Sequence, residues 1–98
     1  MIWKGDLTLD LISREVKSGA EKIELQPREF ALLLELATNP GVALSRAVLL
    51  QKVWGYDFNG DERTIDVHVR RLRMKLEERA RLPSMVQTIH GFGYKFVR

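Results

Sequence analysis

The side chains best suited to chemistry in this sequence are basic, and they crowd into one stretch, RTIDVHVRRLRMKLE, residues 63–77. At helical periodicity Ile65, Val69, Leu72 and Leu76 recur at i, i+4, i+7 and i+11 and form one narrow apolar stripe, which is assigned to the core. The opposite face then carries Arg63, Val67, Arg70, Arg71 and Met74, flanked by Thr64, His68 and Lys75. Like charges a turn apart oppose helix formation by a few tenths of a kcal/mol per pair, roughly, so a purely structural helix gains nothing from this crowding. A phosphate backbone compensates it. The guanidinium fork matches both phosphate oxygens and the O6/N7 edge of guanine, and Val67 offers an apolar surface to a thymine methyl. A solvated charged face remains the alternative at this point. Arg73 lies near Asp66 and Glu77 on the helical wheel, which predicts local pairing; Arg73 and Lys75 therefore stand between the two readings.

The same inventory weighs against catalysis. There is no cysteine, hence no thiol nucleophile, disulfide framework or thiolate zinc site. The two histidines, His68 and His90, fall on different predicted elements with no third ligand or orienting group beside them. No enzyme activity, cofactor or metal site is expected.

Charge is polarised along the chain. Residues 1–62 hold seven Lys/Arg against ten Asp/Glu, whereas residues 63–98 hold nine against three. That is a footprint suited to a polyanion, although a basic tail can also be only a solvated face. With 98 residues, 45% of them hydrophobic and 30% charged, the chain has the balance of one folded domain spanning 1–98. It lacks both a membrane-length apolar run and a signal-peptide start, so a cytoplasmic location is expected.

The elements that must position the basic stretch follow from turn residues and periodicity. Leu7–Leu9, Val16, the Ser18–Gly19 turn and then Ile23 and Leu25 read as small antiparallel strands. Pro27 opens a helix over 28–38 with Phe30, Leu33, Leu34 and Ala37 inward, ended by Asn39–Pro40–Gly41. Ser45 caps a second helix with Val48, Leu49 and Val53 as its apolar stripe. A loop over 55–60 follows, then a third helix over 62–79, capped by Asp61 and closed by Pro83. The tail 85–97 is β-branched and aromatic around Gly91–Phe92–Gly93, which describes a β-hairpin whose glycines permit positive φ. A two-stranded element of this kind can reach the groove beside the one a helix occupies. Tyr94 and Phe96 read as core, although a phenolic hydroxyl can also reach a phosphate. The fold class is therefore α+β: a small N-terminal antiparallel sheet, a three-helix bundle of helix-turn-helix type, and a C-terminal hairpin wing.

VWGYDFNGDERTIDVHVRRLRMKLE followed by VQTIHGFGYKFVR resembles the C-terminal effector domain of OmpR/PhoB-type response regulators. The likeness covers the whole chain and is most specific at Val53–Trp54–Gly55, at 63–73 and at Gly91–Phe92–Gly93–Tyr94. It implies a four-stranded N-terminal sheet, sequence-specific binding of double-stranded DNA with transcriptional regulation, tandem occupancy of direct-repeat half-sites, and control through an N-terminal receiver domain. By position it implies that Arg71 and Val67 read bases and that Arg63, Thr64, His68, Arg70 and Arg73 make backbone or mixed contacts. Thr88 and His90 then match wing-tip contacts, and Trp54 and Tyr94 match positions that touch phosphate. The loop with Tyr56, Asp57, Phe58 and Asn59 matches one that contacts RNA polymerase. Two positions depart from the family: His90 stands where arginine is common, and Gln26 where Ser or Thr commonly precedes the first helix. The alternative function is a protein-interaction winged-helix module without specific DNA binding. RNA is disfavoured because no aromatic residues are set out on an open sheet.

Overall fold

The computed structural model describes residues 2–4, 6–58, 60–80 and 85–97. Four short strands come first: β1 (Ile2–Lys4), β2 (Leu7–Asp10), β3 (Glu15–Ser18) and β4 (Glu21–Ile23), paired antiparallel in sequence order. Leu9 faces Val16 and Val16 faces Ile23 in the ladder, so alternation delivers Leu7, Leu9, Val16 and Ile23 to one buried face. Leu25, expected in a strand, follows the sheet as irregular chain.

Helix α1 (Pro27–Ala37) begins with proline in its first turn. Glu29 reaches back to accept the Gln26 backbone N–H at 2.8 Å, which offsets the weak cap expected of Gln26. Phe30, Leu33 and Ala37 are buried as expected, but the helix also buries Leu32 and Leu36 and leaves Leu34 half-buried. The inward face is wider than the predicted stripe because α1 packs against both other helices and the last strand of the wing.

Strand β5 (Ala43–Ser45) has no counterpart in the sequence reading. Ser45 then caps α2 (Arg46–Trp54), its hydroxyl accepting the Val48 N–H at 3.1 Å. Leu49 and Val53 are buried, whereas Val48 is 40% exposed; half-buried Leu50 and Trp54 pack against the same core. Helix α3 (Arg63–Ala80) starts one residue later than expected, with the Asp61 carboxylate accepting the Arg63 N–H at 2.9 Å. Pro83, expected to close it, lies outside the described residues, as does Asn59.

The wing consists of β6 (Val86–Ile89) and β7 (Gly93–Phe96). It is three-stranded rather than two-stranded, in the order β5-β7-β6. Gly91 has φ +76° in the turn, as a tight reversal requires. Gly93 does not have positive φ; it is glycine because a Cβ there would lie 2.0 Å from the Leu44 carbonyl oxygen of β5. Among the described residues no helix is long and apolar enough to cross a membrane.

Candidate nucleic-acid interface

Helix α3 divides cleanly. Ile65, Val69, Leu72 and Leu76 are buried, while Arg63, Arg70 and Arg71 are exposed beside Val67 at 46% and Met74 at 49% exposure. Arg63 forms a surface pair with Asp61, Nη2 to Oδ2 2.8 Å; the guanidinium bonds and the Arg63 backbone N–H hold the Asp61 carboxyl below the usual carboxylate range. Among the described residues Arg70 and Arg71 form no salt bridge. Two guanidiniums and an exposed valine on one helical face make a surface able to meet phosphates, base edges and a methyl group together.

At the edge of that face, His68 Nδ1 donates to the Thr64 carbonyl oxygen across 2.8 Å. A carbonyl can only accept, so this bond leaves Nε2 as the acceptor in the neutral ring. The His68 ring meets Trp54 edge-on, centroids 4.8 Å apart at 81°. Trp54 is half-buried and is held in turn by the Arg28 guanidinium 5.4 Å from its centroid and by Phe58 at 6.0 Å. The Arg28 guanidinium also donates to the Val53 carbonyl oxygen. The end of α2 and the first turns of α3 are therefore fixed to each other by aromatic contacts. Tyr56 projects at 80% exposure and Asp57 is exposed, but Phe58, from the same loop, packs on Trp54 and over Gly60.

Three of the predicted contact residues are engaged inside the protein. Arg73 does not pair with Asp66 or Glu77: it donates through Nε to the Val86 carbonyl oxygen at 3.0 Å and through Nη2 to Thr88 Oγ1 at 2.6 Å. The wing crosses α3 at that point and supplies oxygens that a helical wheel cannot show. Lys75 is bound to the buried carboxylate of Glu29 at 2.6 Å. Tyr94 is buried and donates its hydroxyl to Asp66 Oδ1 at 2.6 Å. The same oxygen accepts Arg46 Nε at 2.8 Å. Burial alone would raise the Asp66 carboxyl; the Tyr94 hydroxyl and the Arg46 guanidinium outweigh it and hold the group below its ordinary range. Burial, then the Asp66 carboxylate, pushes the Tyr94 phenol up. Sequence reasoning missed Glu29, Arg46 and Asp66 as organising residues, because their partners lie 46, 20 and 28 residues away along the chain. Thr88 is half-buried beside His90, which is exposed in the wing turn. Arg73, Glu77, Val86, Gln87, Thr88 and His90 line an open groove between α3 and the wing. Among the described residues no group of three or more His, Cys, Asp or Glu is placed to hold a metal.

The family described as Transcriptional regulatory protein, C terminal, matches residues 20–96 of this sequence. The chain belongs to that family. This C-terminal regulatory domain is 43% identical over 91 residues to the Heme response regulator HssR of Staphylococcus saprophyticus, covering 93% of the chain and 40% of the relative. It is 43% identical over 95 residues to the DNA-binding response regulator MtrA of Mycolicibacterium smegmatis, with 97% and 42% covered. The chain thus spans about two fifths of the length of these relatives. Among solved structures, the Klebsiella pneumoniae RstA DNA-binding domain in complex with the RstA box is similar, with a TM-score of 0.85, 38% identity, and 98% and 95% of the two chains covered. The domain has the winged-helix fold of these response-regulator domains, and the four-stranded N-terminal sheet implied by the resemblance is present.

Proposed function

We propose that this domain binds double-stranded DNA sequence-specifically and regulates transcription as the output half of a two-component response regulator. Helix α3 enters the major groove and the wing over 85–97 meets the adjacent minor groove. The observation that carries the reading is the exposed face of α3, where Arg70 and Arg71 stand beside exposed Val67, opposite a fully buried stripe. Arg71 and Val67 read bases. Arg63, Thr64, His68 and Arg70 engage the backbone, with Trp54, Thr88 and His90 at the margins. The DNA complex of the similar RstA domain supports this reading. The relatives' greater length and their description as response regulators support a receiver domain on the N-terminal side. Two domains occupy direct half-sites about one helical turn apart. The exposed Tyr56 and Asp57, in the loop that also holds Phe58 and Asn59, meet RNA polymerase. The domain carries no catalytic activity of its own.

The test is binding of a site selected from random duplexes, in competition with heparin, across ionic strength. Affinity is expected to fall linearly on a log–log plot, each neutralised phosphate contributing about −0.9 to the slope. Binding indifferent to salt between about 50 and 200 mM, or selection without a consensus, contradicts the reading.

A further inference from the structure

We propose that α3 and the wing act as one rigid reading unit joined by two side-chain latches, so that Arg73 and Tyr94 set the spacing between the two elements rather than touch the nucleic acid. The inference rests on the DNA-binding reading above and deepens it.

Asp66 and Arg73 are seven residues apart on α3, close to two full turns, and so lie on one side of the helix. At the first position Asp66 Oδ1 accepts the Tyr94 hydroxyl of β7 at 2.6 Å, and Arg46 of α2 braces the same oxygen at 2.8 Å. At the second, the Arg73 fork donates to two acceptors of β6, the Val86 carbonyl and the Thr88 hydroxyl. Thr88 and Tyr94 are direct partners in the β6–β7 ladder. The two latches therefore meet at the Thr88–Tyr94 rung, next to the last one before the turn, and the Arg73 latch extends two residues back along β6 to Val86. Both the Arg46 and the Arg73 guanidiniums stand over the Tyr94 ring, 5.6 and 5.3 Å from its centroid. On its far side β7 is paired to β5, with Leu44 opposite Tyr94 and Gly93 in close contact with the Leu44 carbonyl.

A phosphate-binding tyrosine needs its O–H free and turned outward. Tyr94 is buried and its proton is already given to a carboxylate, in a charge-assisted bond. Arg73 likewise commits two of its five N–H donors, on Nε and Nη2, to the wing. The wing is thus held at a fixed tilt in the free protein, and no ordering of it has to be supplied on binding. The consequence is a defined offset between the bases met by α3 and the groove met by the wing turn.

The experiment uses Tyr94→Phe, which removes only the hydroxyl, and Arg73→Lys, which keeps the charge but cannot make two parallel hydrogen bonds. Each is measured for affinity against every single-base change in the selected site, and for amide exchange in the free protein. Both variants are expected to lose about fivefold or more of the base preference at wing-side positions, with preference at α3 positions kept within about twofold. Wing amides over 86–96 are expected to exchange about tenfold or more faster relative to those of α3. Unchanged binding, weakening by one factor for all sequences, or wild-type behaviour of Arg73→Lys overturns the proposal. If the unmodified domain shows no base preference, the functional reading fails by itself and exchange alone decides the latches: unchanged wing exchange in both variants sinks them.

Discussion

Lys75 closes a 2.6 Å ion pair on a Glu29 carboxylate that is only 2% exposed, and the same carboxylate oxygen accepts the Gln26 N–H at 2.8 Å. One oxygen thus caps α1 and ties it to α3. Removing one partner of such a pair strands a buried charge, at a cost of about 3 kcal/mol, whereas removing the charge on both sides is far milder. Lys75→Met is expected to lower the unfolding free energy in urea by about that amount, and Glu29→Gln in the same chain to restore most of it. A loss under about 1 kcal/mol in Lys75→Met would show that the pair contributes no more than a surface salt bridge.

The two wing glycines are expected to differ in kind. Gly93→Ala places a Cβ 2.0 Å from the Leu44 carbonyl oxygen and must separate β5 from β7, at a cost of about 2 kcal/mol or more. Gly91→Ala meets no neighbour within 4 Å and incurs only the strain of positive φ, about 1 kcal/mol. Thermal melts of the two variants check the order; equal shifts would refute the close-approach account of Gly93.

Asp66 titrates below its ordinary value in the folded domain. A group with a depressed folded pKa contributes stability that is present above its unfolded value, near 3.9, and is lost as pH falls through the folded one. The expected result is that wild type loses more stability than Asp66→Asn between neutral pH and the acid limb below the usual carboxylate range. Asp10, Glu15 and Asp61 titrate low as well, but they are common to both proteins and largely cancel in the difference. Parallel stability curves for the two proteins would contradict the assignment of Asp66 as the shifted group.

What could be read from the sequence was what is encoded locally. The Ile65–Val69–Leu72–Leu76 stripe, the Ser45 cap and Pro27 at a helix start each depend on residues within a turn or two, and each is present as expected. Strand β5 was invisible because three residues carry no periodicity and their partner strand is at the far end of the chain, Ala43 opposite Lys95. The same reason explains Gly93, whose constraint is the β5 backbone, and Arg73, whose acceptors belong to the wing. The exposed arginine face was legible because it is the complement of the core stripe on one helix. The engagement of Arg73, Lys75 and Tyr94 within the protein was not, since it depends on which oxygens the tertiary fold brings near.

In the loop after α2, Tyr56 is exposed whereas Phe58 rests on Trp54. Tyr56→Ala is expected to leave DNA affinity and the melting temperature within error while lowering transcription activation in a reconstituted assay. Phe58→Ala, by loosening Trp54 against His68, is expected to weaken DNA binding several-fold, on the order of 1 kcal/mol. Equal loss of binding and activation in Tyr56→Ala would make the loop structural only.

The base-reading role proposed for Arg71 rests on its exposure one turn from Val67 on α3. It is tested most directly by a matrix of affinities for Arg71→Ala against every single-base change in the selected site, at one fixed ionic strength. A bidentate contact discriminates between bases, so the variant is expected to lose roughly 1–3 kcal/mol on the preferred site and to flatten the preference at one base position, leaving the others intact. A drop by the same factor for every sequence would contradict the claim and place α3 on the duplex in a different register.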